Sequence, residues 1–234
     1  MKKWEILLLS SGPKSVERSR KSPNRSSSTR LQTLGLITVA LSMIILFLHP
    51  VSMYFLIGVF VATPIMMLVT FCLTSYRGFF RPTAKSIATG IISAALLYLI
   101  FYGGNYLINN FHPLGIQASS ETSIYSTIGT HPLYLQLLIL LFDGFGFESY
   151  FRGALQNFFS SKIRNQKSKL GAVFLSSFCD SMIHVVSLNP LWIITTFIAD
   201  SVWGVTYYHT KDLSSSVSSH IVWDIAIFVV APIK

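Results

Sequence analysis

Eight ionisable side chains, Asp143, Glu148, Arg152, Asp180, His184, Asp200, His220 and Asp224, fall inside apolar stretches of the C-terminal part of the chain. Two imidazoles and several carboxylates around shared water are the parts of a hydrolytic site. A carboxylate takes a proton from water, while an imidazole orients that water, donates to a developing oxyanion or binds a metal. Glu148/Arg152, Asp180/His184 and His220/Asp224 are each four residues apart, which places both members of a pair on one face of a helix. One such pair alone reads as a local ion pair that fixes helix packing. Three of them, with both histidines in polar helices, favour a common site.

The cost of these groups sets the demand on the fold. A charge at mid-bilayer costs roughly 2.5–3.5 kcal/mol, so six formal charges left unpaired would cost on the order of 15–20 kcal/mol. That exceeds the whole stability of a typical domain. The groups must therefore face one another or a wet cavity inside a bundle. At about 1.5 Å per residue from the expected cytoplasmic ends, Glu148, Asp180, His184, Asp200 and Asp224 lie at roughly 14–22 Å depth, with His220 shallower.

The elements that must position them are membrane helices. The chain has 234 residues, 51% hydrophobic and 12% charged, which is too apolar for a soluble domain and fits a polytopic helical membrane protein. Short alternating strands, the mark of a transmembrane barrel, are absent from the sequence. From Leu31 to Ile108 there is no Asp or Glu. The fold class is all-α, a polytopic bundle of about seven spans near 31–49, 51–74, 86–108, 132–160, 170–188, 190–209 and 213–231, with a four-helix catalytic core in the C-terminal half. The fourth span is long, and Gly144 and Gly146 are expected to kink or break it.

Three regions follow: a disordered basic tail over 1–30, a transmembrane scaffold with a polar loop over 31–131, and the polar membrane core over 132–231. The tail does not read as a signal peptide, because its apolar run at Trp4–Leu9 is too short. Net charge is +9, but eight of the eighteen Lys and Arg lie in residues 1–30 and most others sit in loops. This is topogenic charge, and no nucleic-acid partner is expected. Basic loops at Arg77/Arg81/Lys85 and Lys162/Arg164/Lys167/Lys169, against a 109–131 loop without Lys or Arg, put the N-terminus in the cytoplasm and the C-terminus outside a cell membrane. Cys72 and Cys179 lie in separate spans and read as buried hydrophobes. His49, His131 and His209 sit at span ends and read as interfacial, and Asp200 receives no fixed task.

At the polar residues the chain resembles the CPBP family of intramembrane proteases, which includes the type II CAAX prenyl endopeptidases and the bacteriocin-processing or immunity proteins. The family pattern is a Glu-Glu-x-x-x-Arg helix, often continuing Phe-Arg-Gly, then Phe-x-x-x-His, then His-x-x-x-Asn/Asp. Here these read Phe147-Glu148-Ser149-Tyr150-Phe151-Arg152-Gly153, Asp180-Ser181-Met182-Ile183-His184 and His220-Ile221-Val222-Trp223-Asp224. Ser176 and Ser177 before the second motif, and Trp203-Gly204 with Tyr207, Tyr208, Thr210 and Leu213 before the third, strengthen the resemblance, which covers 132–231. It implies an intramembrane endopeptidase, often called a metalloprotease, acting on a peptide or protein substrate in the lipid bilayer that is prenylated in part of the family. His184 and His220 would orient water and stabilise the oxyanion, and Asp224 would position them.

Two positions depart from the pattern. The first Glu, which the family is thought to use to activate water, is Phe147, and the Phe of the second motif is Asp180. A phenyl ring accepts no proton. Asp180 is the first candidate for the base, since helical spacing turns it the same way as His184. Glu148 is expected to hold Arg152 as structural support, and Asp143 ranks third because it lies a turn farther from the cytoplasm. If a metal is held, the set offered is Zn²⁺ at His184, His220 and Asp180. Two other classes stand beside the enzyme: an inactive relative acting as an immunity or scaffold protein, which Phe147 favours, and a proton- or ion-coupled transporter, disfavoured because all the buried acids lie in one half.

Overall fold

Apolar runs of this length satisfy their backbone only by coiling on themselves, and the computed structural model is all-helical in its regular structure, with no strand among the described residues. These residues are 29–30, 33–35, 37–38, 41, 52–73, 80–111, 128–129, 131–163, 165, 169–187 and 189–233. The basic tail up to residue 28, most of the expected first span, Arg77, Arg164, Lys167, and positions 112–127 of the polar loop lie outside them.

The helices are α1 (Ser52–Leu73), α2 (Ala84–Phe111), α3 (Leu133–Glu148), α4 (Asn157–Lys162), α5 (Leu170–Ile183), α6 (Pro190–Thr210) and α7 (Leu213–Ile225). A π-helical stretch, Ser149–Gln156, joins α3 to α4 without interruption, and all eight of its residues are buried. By length and composition, Ala84–Phe111 and Leu213–Val230 are long and apolar enough to cross a bilayer, while Val59–Cys72 and Leu170–Ile183 are shorter apolar helices. The outer face of α2 carries Ile92, Leu96, Leu99 and Leu107, all exposed. Cys72 is exposed and Cys179 half-buried, both as free thiols. The burial expected for Cys72 is therefore not found.

Small residues set how closely the helices approach. On α2, a side chain at Gly90 would run into Ser218 and the backbone of Ser215 on α7. Ser93 of α2 and Thr206 of α6 share a hydrogen bond of 2.8 Å. Gly146 meets Thr63 of α1, Gly153 meets Thr70, and Gly204 of α6 meets Val173 of α5. Thr70 Oγ1 also donates to the carbonyl oxygens of Met66 at 2.9 Å and Ser149 at 3.0 Å, tying α1 to the π-helical stretch. The expected break at Gly144 and Gly146 does not occur. The helix runs through both, and their missing side chains serve packing instead.

The turn between α6 and α7 is short and strongly specified. Lys211 takes a left-handed conformation, φ 54°, which ends α6. Asp212 then caps α7, its carboxylate accepting from the backbone N–H of Ser214 at 3.0 Å and from the N–H of Arg81 at 3.0 Å. Partial burial raises the pKa of Asp212, but hydrogen bonds from the Ser214 side chain and from the Arg81 and Ser214 backbone outweigh it and hold the carboxyl below its usual value. This anchor fixes the height at which α7 presents His220.

Candidate functional site

The site begins where α3 meets α7. A side chain at Gly144 would stand 2.8 Å from Ile221 Cγ1, 3.4 Å from the Ile221 nitrogen and 3.6 Å from His220 Cβ. Glycine lets the two helices close to that distance. Asp143 and Glu148 on α3 are thereby brought to His220 on α7. Glu148 Oε1 lies 3.1 Å from His220 Nδ1, and Asp143 Oδ2 lies 3.9 Å from Nε2. Asp224, one turn along α7, places Oδ2 3.4 Å from the same Nε2. The imidazole also stacks on Trp203 of α6, with centroids 3.7 Å apart and planes at 11°. A carboxylate can only accept, so the Nδ1–H donates to Glu148, and the carboxylates of Asp224 and Asp143 face the other nitrogen.

A second half of the network surrounds Arg152, whose side chain is fully buried. Its Nε lies 3.3 Å from Glu148 Oε2, and its Nη2 donates to Asp200 Oδ1 on α6. Asp180 of α5 adds a third carboxyl near the guanidinium and beside Asp200. Glu148 touches both halves. A continuous chain of ionisable groups thus runs from Asp180 through Asp200, Arg152 and Glu148 to His220, Asp143 and Asp224, drawn from α3, its π-helical extension, α5, α6 and α7. Around it, Gln156 Nε2 donates to the Gly204 carbonyl at 3.1 Å and Ser176 Oγ to that of Phe151 at 2.9 Å.

Three sequence expectations meet a different arrangement. Asp180 and His184 do not extend one helical face, because α5 ends at Ile183 and His184 opens a 3₁₀ turn, His184–Ser187. Asp180 goes to the Arg152 group, whereas the His184 ring stacks on Trp192, centroids 5.6 Å apart at 18°. Secondly, the donor atoms that converge among the described residues belong to Asp143, His220 and Asp224, all within 4.8 Å of one another, and not to His184, His220 and Asp180. Thirdly, Asp143, ranked third as a base, is the carboxylate with access: its side chain is 31% exposed, against 4% for Asp224 and 1% for Glu148.

Phe147 belongs to a different environment. It packs with Ala62, Met66, Val69, Tyr150, Phe151 and Ile183 in an apolar cluster and stacks on Phe151 at 5.9 Å. No cation stands in that cluster to stabilise a carboxylate. Asp200, given no task by sequence reasoning, is the direct partner of Arg152. A signal for it existed: one buried guanidinium with several donors and a single helical partner needs a further acceptor from another helix.

Chemically, the Asp143–His220–Asp224 cluster offers a rim carboxylate able to accept a proton, an imidazole held in one orientation, and a buried second carboxylate. Arg152 and its acids form the buffered charge behind it.

Residues 129–226, a stretch that contains every one of these groups, match the family model of type II CAAX prenyl endopeptidase Rce1-like proteins. No curated protein and no solved structure matches the chain.

Proposed function

We propose, from the family match over 129–226 and the polar chain it encloses, that this protein is an intramembrane endopeptidase of the CAAX-protease type. It hydrolyses a peptide bond of a membrane-associated protein by carboxylate- and histidine-assisted attack of water. The bundle of about seven spans sits in a cell membrane, N-terminus on the cytoplasmic side. The observation that carries the reading is the convergence of Asp143, His220 and Asp224 within 4.8 Å at the accessible end of an otherwise buried charge network.

In this reading Asp143 replaces the missing glutamate as the group that faces the reacting water. His220, fixed by Glu148 and stacked on Trp203, orients that water, and Asp224 holds the ring from the other nitrogen. Arg152 with Asp200 and Asp180 is structural support that keeps Glu148 in place. His184, stacked on Trp192 at the end of α5, is not among the side chains that converge at this cluster and receives no role in the step.

The test is cleavage of membrane-anchored reporter peptides, prenylated and not, by the purified chain in proteoliposomes. Wild type should release product, and Asp143→Asn and His220→Ala should each slow release at least ~100-fold. Equal rates in wild type and both variants would contradict the reading.

A second reading has its own observation. Phe147 stands in the family's glutamate position and is packed in an apolar cluster, as in a relative that keeps the fold as a scaffold or immunity protein and no longer cuts. Full biological activity of a His184→Ala/His220→Ala double variant would favour it.

A further inference from the structure

The end of the bundle that carries the α6–α7 turn collects cations from three connections. Arg81 and Lys85 stand at the start of α2, Lys162 at the end of α4, Lys169 directly before α5, and Lys211 in the turn itself. Among the described residues, the acids outside the buried network reduce to Asp212, and its carboxylate is held by the α7 cap and the Arg81 backbone. None of these lysines and no guanidinium of Arg81 makes an ion pair among the described residues.

Two of these cations are brought together by the packing of α5 along α6. Lys169 and Lys211 meet at the adjoining ends of the two helices, where partial burial first, and then the charge of Lys169, lower the pKa of Lys211. Lys211 Nζ lies 4.1 Å from the centre of the Tyr208 ring, a cation–π contact that holds the ammonium against the end of α6. Like charges repel, so two ammonium groups with no carboxylate between them favour an anion that both can face. What lies beside the pair selects the anion. Leu170, Phe174 and Phe178 are all exposed, and their spacing of four residues sets them along one face of α5 that starts next to Lys169 and runs for roughly 12 Å. Phe197 of α6 brings its ring within 6.5 Å of Phe174. A free phosphate or an acidic protein segment would use the charge and leave the apolar stripe bare. A ligand with an anionic head and a hydrocarbon chain uses both.

We propose that Lys169 and Lys211 hold the phosphate of an anionic membrane phospholipid whose acyl chain lies along Leu170, Phe174 and Phe178. This site is separate from the acid–histidine cluster. It depends neither on the hydrolase reading nor on the side of the membrane that the N-terminus occupies.

The test uses the full chain in a neutral detergent, incubated with phosphatidylglycerol or phosphatidylcholine, with bound lipid counted by native mass spectrometry. Wild type should retain phosphatidylglycerol at least ~10-fold better than phosphatidylcholine. Lys169→Gln and Lys211→Gln should each weaken that retention about fivefold, and the double variant about 20–25-fold. Lys85→Gln removes the same charge from α2 and should stay within about twofold, which separates a local site from net charge. Phe174→Ser should also weaken retention, while added salt should weaken the wild type and leave the double variant little changed. Unchanged circular dichroism in the lysine variants confirms that the loss is one of binding. Glycerol 3-phosphate, which has the head and no chain, should not compete at about 100-fold excess. Equal retention of the two lipids, or a double variant that holds phosphatidylglycerol as wild type does, overturns the proposal. Effective competition by glycerol 3-phosphate overturns it as well, by assigning the lysine pair to a soluble phosphate. Cleavage rates play no part in these readings, so loss of the peptidase assignment leaves the lipid site standing.

Discussion

Replacing Arg152 by Met removes the cation from a group in which Glu148, Asp200 and Asp180 all face it, while keeping most of the side chain's volume. Arg152 is fully buried and Glu148 and Asp200 are at most 2% exposed, so water cannot take over the freed carboxylates. Breaking one buried pair by deleting a partner costs about 3–5 kcal/mol, because a buried charge is left without compensation. Here more than one carboxylate is stranded, which places Arg152→Met at the upper end, about 5 kcal/mol. Adding Asp200→Asn to Arg152→Met should recover about 1–3 kcal/mol, since the second change neutralises a group the first one orphaned. Unfolding in mixed micelles, followed by circular dichroism for both single variants and the double, gives the cycle. Arg152→Met within about 1 kcal/mol of wild type, or strictly additive losses, would refute the assignment of Arg152 as the charge centre of a dry network. Arg152→Lys should not rescue, because an ammonium does not span Glu148 and Asp200 as the planar fork does.

Other outcomes follow from local geometry. Gly144→Ala should destabilise by about 1–3 kcal/mol through the contact with Ile221 and slow hydrolysis by moving His220, and Ile221→Ala should restore part of both; a neutral Gly144→Ala in thermal and cleavage assays would count against the close approach of α3 and α7. Phe147→Glu should destabilise by roughly 3 kcal/mol and not raise the cleavage rate, because its surroundings are apolar, whereas Phe147→Leu should leave cleavage within about threefold. Asp212→Ala should cost about 1–2 kcal/mol as the α7 cap is lost. Because the folded carboxyl of Asp212 has a lowered pKa, its contribution is complete above the usual Asp pKa and disappears as pH falls through the folded value. The stability gap between wild type and Asp212→Ala should therefore narrow on acidification, read by melting at a series of pH values.

The helical class and the clustering of polar groups were legible because they rest on composition and on i,i+4 spacing within single helices. Glu148 and Arg152 stand 3.3 Å apart, and His220 and Asp224 3.4 Å, as the spacing requires. Asp180 and His184 show the limit of that reasoning. The same spacing assumes a helix that continues, and α5 stops between them. Asp143 shows a second limit. Its rank followed from counting depth along its own helix, whereas its position depends on how near α7 comes, and that is decided by a glycine contact between residues far apart in sequence. Asp200 shows a third: its partner Arg152 lies 48 residues away, and no local pattern joins them.

Whether Asp143 and His220 act as one unit is tested most directly by a double-variant cycle on cleavage rate, with Asp143→Asn, His220→Ala and the combination compared in the same vesicles. Groups that serve one water should be strongly non-additive, the double variant running no slower than the worse single one. Losses that multiply, each variant slowing the other's background by its full factor, would mean the two side chains work independently and that the cluster between α3 and α7 is not the reacting centre.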